Sequence, residues 1–192
     1  MNKKPTKEEA EEAVRILISW AGDNPKRKEL LDTPRRVVNS YLEFFSGYKI
    51  KIEEQNYKTF PNSDNYNEMI ILRQIELQSH CEHHMVPIIG KASISYIPNQ
   101  KIIGLSKIAR IVDVFAKRLQ IQERLTIEIG EALNKLLTPK GLGVFIESSH
   151  NCLSTRGAYK PSGLMQTTHM MGCFKEENIR KEFLYRIYAQ LT

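Results

Sequence analysis

No stretch of this chain approaches the ~20 consecutive apolar residues of a bilayer-spanning helix, which excludes an integral membrane protein of that kind. The N-terminus, Met1-Asn2-Lys3-Lys4-Pro5, runs into acidic residues rather than the apolar core of a secretory signal. Cysteine is scarce. The three present, at 81, 152 and 173, cannot all pair within one chain, and 192 residues are too many for a disulfide-stapled miniprotein. A reducing, cytoplasmic setting is therefore expected. A Gly-rich phosphate loop, a dinucleotide fingerprint, an internal repeat and a low-complexity tract are all missing. Histidine and cysteine are nearly missing from the front of the chain: seven of the eight lie at 81–173, and only His80 falls within the first eighty residues.

What is present suffices for a core. Hydrophobic residues make up 41%, which excludes wholesale disorder, and the length fits one domain or a domain with a small appendage. With 28 Lys and Arg against 22 Asp and Glu, the net charge is +6. That balance raises a basic nucleic-acid-binding zinc module as one hypothesis. Against it, the basic residues are scattered among acids and form no DNA- or RNA-reading motif.

The periodicity of the chain changes at residue 69. In the front part, Thr6 and Glu9 make a capping box ahead of Ala10, Ala13, Val14, Leu17 and Ile18 at helical spacing, with Gly22 at the end. Thr33 is expected to cap a second helix, with Pro34 at its first position and Gly47 closing it. Residues 48–68 read as a loop. From Met69 to Leu77 and from Val86 to Ile97 the pattern is that of strands, followed by the short apolar piece Ile102-Ile103. Ser106 is expected to cap a helix bearing Ile108, Ile111, Val112, Phe115 and Leu119, and a further helix begins near Gln122. Strands are expected at 143–153 and 166–174, then a helix at 178–191. The expected organisation is an N-terminal helical extension and loop, 1–66, and an α+β domain, 67–192. Its order β-β-α-α-β-β places a helix pair on one face of an antiparallel sheet.

The densest chemistry is His80-Cys81-Glu82-His83-His84, echoed by His150-Asn151-Cys152. Sulfur and imidazole are zinc's preferred protein donors, and Cys81-x-x-His84 has the short spacing that lets one loop offer two of them. Cys152 could supply a third, leaving a fourth position for water as in catalytic sites, where the metal lowers the water pKa toward ~7. In a strand over 143–153, His150 and Cys152 would share a face, bringing His150 beside the ion, and His83 adjoins His84. Two histidines able to move protons near neutral pH would then flank the metal. Spacing leaves open which of His83 and His84 is the ligand. Cys173 reads as core.

The motifs Cys81-Glu82-His83-His84, Gly104-Leu105-Ser106-Lys107-Ile108-Ala109-Arg110, Gln120-Ile121-Gln122-Glu123-Arg124-Leu125-Thr126 and His150-x-Cys152-x-x-x-Arg156-Gly157 closely resemble those of the GTP cyclohydrolase I family. Thr33-Pro34-x-Arg36 and Gly172-Cys173-Phe174…Arg180-x-Glu182-Phe183 resemble it too. The resemblance implies the tunnelling fold, whose subunits form pentameric β-barrel rings stacked as a decamer, with active sites shared between subunits. It implies zinc held by Cys81, His84 and Cys152. It also implies hydrolytic opening of the imidazole ring of GTP at C8, release of formate, and formation of 7,8-dihydroneopterin triphosphate on the way to folates and pterins. His150 is then the fitting acid toward N7 and His83 the second proton carrier. Gln122 and Glu123 are expected to read the guanine edge. Ser106, Lys107, Arg110 and Arg156, with Arg36 from a neighbouring subunit, are expected to hold the triphosphate.

One segment departs from the family pattern. Where the family carries Ser-x-Thr-x-Thr, this chain reads Gly163-Leu164-Met165-Gln166-Thr167. That departure motivates a second hypothesis, a tunnelling-fold relative with a different purine or pterin substrate.

Overall fold

A computed structural model describes residues 4–189. The chain divides into two compact units, Met1–Ser46 and Gly47–Thr192. No helix among the described residues is long and apolar enough to cross a membrane.

The first unit holds α1 (Lys7–Trp20) and α2 (Thr33–Phe44), with a single 3-10 turn at Lys28–Leu30. The capping box forms as its residues dictate: Glu9 N–H donates to Thr6 Oγ1 (3.2 Å) and Thr6 N–H to Glu9 Oε2 (2.7 Å). At α2 the cap is Asp32 rather than Thr33. The Asp32 carboxylate makes no cap hydrogen bond and lies instead 3.2 Å from Arg35 and 3.6 Å from Arg36. Of the two helices only Pro34 is buried, while Ile16, Leu17, Trp20, Leu42 and Phe44 are exposed.

The second unit begins with 3-10 turns at Ser46–Lys49 and Ile52–Glu54 and a short strand, β1 (Thr59–Pro61), so the segment expected as loop carries structure of its own. Gly47 does not close α2. It packs so closely against Val114 that a Cβ would stand 2.1 Å from the Val114 carbonyl oxygen, which only glycine permits. Then follow β2 (Ile70–Cys81), β3 (Pro87–Ile97), β4 (Lys101–Ile103), α3 (Leu105–Ala116), β5 (Leu119–Gln120), α4 (Gln122–Leu137), β6 (Gly141–His150), α5 (Asn151–Ser154), β7 (Leu164–Gly172) and α6 (Glu177–Tyr188). Leu191, expected in the last helix, lies outside the described residues.

The main sheet runs β5-β2-β3-β6-β7, antiparallel except where β5 joins the end of β2, and β1 pairs with β4 apart from it. This is the expected β-β-α-α-β-β order with short strands added. Alternation along β6 assigns its faces. Leu142, Val144 and Ile146 pack with Ile108, Ile111 and Val112 of α3 and Leu125, Ile129, Leu133 and Leu137 of α4. Phe145 joins a smaller core with Phe174, Phe183 and Ile187. Each buried leucine on α4 contributes roughly 1.5–3 kcal/mol over its exposed state. Cys173 sits in a one-turn 3-10 helix (Cys173–Lys175) after β7, half-buried against the smaller core, rather than in the strand.

Candidate metal centre and its surroundings

Three pieces of chain meet at one end of the sheet. β2 ends in buried Cys81, and the tight return to β3 is held by Cys81 N–H donating to the Val86 carbonyl (2.9 Å) and Met85 N–H to the Cys81 carbonyl (2.8 Å). That return carries Glu82, His83 and His84. β3 brings β6 alongside in a register that pairs Ile88 with His150, so β6 ends at the same place.

The strand does not continue to 153. It stops at His150, and Cys152 lies in the short helix α5. The turn still brings Cys152 to the cluster: the donor atoms of Cys81, His84 and Cys152 all lie within 4.8 Å of one another. His84 Nδ1 is 3.9 Å from Cys81 Sγ, and His83 Nδ1 is 3.7 Å from it. Burial, and then the adjacent Cys81 sulfur, push the Cys152 thiol above its ordinary range, partly offset by Arg156. A bound cation reverses that preference by taking the thiolate. Two sulfurs and one imidazole, converging with no fourth protein donor among the described residues, fit a soft-ligand metal with an open position.

The flanking histidines are held differently. His83 is exposed, with Nε2 3.9 Å from a Glu82 carboxylate oxygen. Glu82 is also paired to Arg124 at the start of α4, which tethers the metal loop to that helix. His150 is half-buried, and burial pulls its pKa below the ordinary histidine value, against the opposing pull of the Glu123 carboxylate. Its Nε2 is 2.8 Å from Gln122 Oε1.

Gln122 was expected at the guanine edge, and the structure engages it elsewhere. It is fully buried, and its amide nitrogen donates to the Ile146 and Met165 carbonyls and to Thr167 Oγ1, each at 3.1 Å. Its Oε1 accepts from Ser148 Oγ at 2.5 Å. Thr126 Oγ1, one helical turn on, donates to the Gln122 carbonyl (2.6 Å) and lies 2.7 Å from Thr167 Oγ1. Glu123, next to it, is exposed.

The cationic residues are looser. α3 is capped at Gly104, not Ser106, whose side chain is exposed in the first turn. Among the described residues no side-chain hydrogen bond or ion pair holds Lys107 or Arg110, although the charge of Arg110 is felt at Tyr57. Arg156 is exposed and its Nη1 lies 3.0 Å from His84 Nε2. Arg36, in the first unit, is three-quarters exposed beside Asp32.

Sequence reasoning missed Ser148, Thr126, Thr167 and the Glu82–Arg124 pair. Two signals were available: Ser148 and His150 alternate on β6, and Thr126 lies four residues after Gln122 on α4. Thr167 enters only through the β6–β7 register, which sets it opposite Ile146.

An α+β domain with a convergent Cys-His-Cys set and a partly buried histidine nearby has the donor set of the class of metal-dependent enzymes. The particular family follows from comparison: the chain belongs to the GTP cyclohydrolase I family, whose model matches residues 10–188. It is 45% identical over 187 residues to GTP cyclohydrolase 1 of Maricaulis maris, covering 97% of this chain and 91% of that protein. It is 48% identical over 183 residues to GTP cyclohydrolase 1 of Hyphomonas neptunium, covering 95% of this chain and 89% of that one. A solved structure described as the archaeosine synthase QueF-Like in the apo form overlaps 54% of this chain and 93% of its own, at TM-score 0.46 and 16% identity.

Proposed function

We propose that this chain is a zinc-dependent GTP cyclohydrolase that opens the imidazole ring of GTP at C8, releases formate and forms 7,8-dihydroneopterin triphosphate. The observation that carries the reading is the Cys81–His84–Cys152 convergence within a family member whose relatives are named for this activity. These three residues hold the metal, and zinc, when bound, supplies Lewis-acid activation of water near neutral pH. His150 gives a proton to N7, which makes C8 electrophilic. His83, exposed beside Glu82, moves protons near the ribose during ring opening and closure. Glu123 accepts from N1–H and the 2-amino group, which distinguishes guanine from adenine. Lys107, Arg110 and Arg156, with Ser106 and the N-terminal turn of α3, take the triphosphate.

Subunits assemble into rings, stacked in pairs, with active sites shared between them. One observation supports assembly: β7 and most of β2 border no further strand among the described residues, and long open edges seek partners. Arg36 comes from a neighbouring subunit in this reading.

The Gly163/Met165 departure does not favour a different substrate. Met165 supports Gln122 through its backbone carbonyl, which a side-chain change leaves in place, and the Thr167 hydroxyl is retained. The test is to give zinc-loaded protein GTP beside a panel of purine nucleotides. Formate and a pterin that fluoresces after oxidation are expected from GTP; neither product with full zinc occupancy overturns the reading.

A further inference from the structure

We infer that Gln122 is a positioning residue that holds His150 in one tautomer, proton on Nε2, so that Nδ1 is the ring nitrogen left to exchange protons with a ligand. The inference deepens the proton-carrier role given to His150 and rests on that role for its catalytic meaning. Its structural part stands on hydrogen-bond direction alone.

The orientation of the Gln122 amide follows from its neighbours. The Ile146 and Met165 carbonyls can only accept, so the group 3.1 Å from both is the amide nitrogen. The Gln122 oxygen therefore faces Ser148 and His150. A carboxamide oxygen can only accept. His150 Nε2, 2.8 Å from it, must carry a hydrogen, or two lone pairs would face each other in a fully buried spot. In the neutral ring that leaves Nδ1 as the acceptor.

The clamp is built to resist rotation. The amide nitrogen is tied to β6 through Ile146 and to β7 through Met165 and Thr167, and the oxygen to β6 again through Ser148. Thr126 and Thr167 meet behind it. Turning the amide over would place its oxygen against two carbonyls and its NH2 against the imidazole, and would leave several buried groups unmatched.

The test uses zinc-loaded protein labelled with 15N-histidine, with the His150 signals assigned by their loss in His150→Ala. The parent is expected to show the neutral His150 ring protonated at Nε2. Gln122→Met should lose that preference and lower kcat by about 10–100-fold, with KM for GTP changed less than about threefold and zinc retained. Gln122→Glu keeps an acceptor toward His150 and should recover the Nε2–H signature and part of kcat. A parent ring protonated at Nδ1 overturns the inference, and this spectrum decides even where Gln122→Met does not fold. A raised KM with unchanged kcat in Gln122→Met also overturns it, marking Gln122 as a guanine reader. Full turnover by His150→Ala beside an Nε2–H parent removes the proton-carrier role and leaves the tautomer assignment standing.

Discussion

Two parts of the candidate site are built in opposite ways. The metal and proton part is rooted in the interior: Cys81 is buried, Cys152 and His150 are half-buried, and Gln122 behind His150 is sealed from solvent, while His83 and His84 stand exposed at its mouth. The cationic part is laid out on the surface, with Ser106 and Arg110 exposed in the first turns of α3 and Lys107 free of side-chain partners among the described residues. The difference follows from the demands on each. Ligand atoms and a proton carrier must be held to fractions of an ångström, so they are clamped by strand ends and buried hydrogen bonds. A triphosphate is a long, flexible polyanion that brings its own charge. Cations on a helix start can meet it at the moment of binding.

The comparison breaks most sharply at the ligands. Cys81→Ala or Cys152→Ala should release the metal and lower turnover on the order of 10³-fold or more, read by metal analysis beside formate release. Retained zinc with full turnover would remove the embedded part from the chemistry. His150→Ala should keep zinc while kcat falls about 10²–10⁴-fold. Loss of zinc instead would make His150 a ligand and redraw the centre. For the surface part a milder result is expected: Lys107→Ala and Arg110→Ala should each raise KM about tenfold, with the penalty shrinking in high salt and zinc unaffected. A collapse of kcat or zinc content in these variants would show that the two parts are one.

The smallest effect lies where the two parts share a support. Buried Tyr96 accepts a hydrogen bond from the Ile103 backbone N–H (3.3 Å), just before the cap of α3. Burial raises its phenol above the ordinary tyrosine value, because a phenolate is poorly solvated there. A raised folded-state pKa means stability that is present in full below about pH 10 and lost as pH rises through the folded value. Denaturation midpoints should fall in that alkaline window. Tyr96→Phe should cost about 1 kcal/mol at neutral pH and flatten the alkaline fall. An unchanged alkaline fall in Tyr96→Phe would place its origin at other groups.

Much of this architecture is legible in the amino-acid sequence. The α4 stripe, the strand at 92–97 and the α1 capping box are short-range patterns, and each appears where its residues predict; Leu119, expected on the α3 stripe, falls past the end of that helix in β5, and Leu17 of the α1 stripe is exposed. The candidate metal cluster is legible because Cys and His gather at two points in an otherwise ordinary sequence, while the choice between His83 and His84 rested on the family resemblance. Errors arise where a local signal has a stronger competitor. Thr33 and Ser106 look like caps, yet Asp32 and Gly104 take those positions. The strand pattern toward Cys152 gives way to a turn at Asn151. Gln122, adjacent to the candidate guanine reader, faces inward to α4's own core side, because a residue beside Glu123 on a helix points about 100° away from it.

Residue chemistry and spacing alone therefore pointed to a candidate site of soft donors suited to a metal and imidazoles suited to protons, on a β-β-α-α-β-β domain, while the phosphate role of the cations rested on the family resemblance. These are properties of side chains and of their neighbours within a few positions. Which groups touch was decided only in three dimensions. The register of β3, β6 and β7 brings His150, Ile146, Met165 and Thr167 to one place, and α4 drives Gln122 into their midst. Cross-strand partners lie tens of residues apart, and the burial that makes their hydrogen bonds directional and obligatory exists only once the sheet and helices have closed over them.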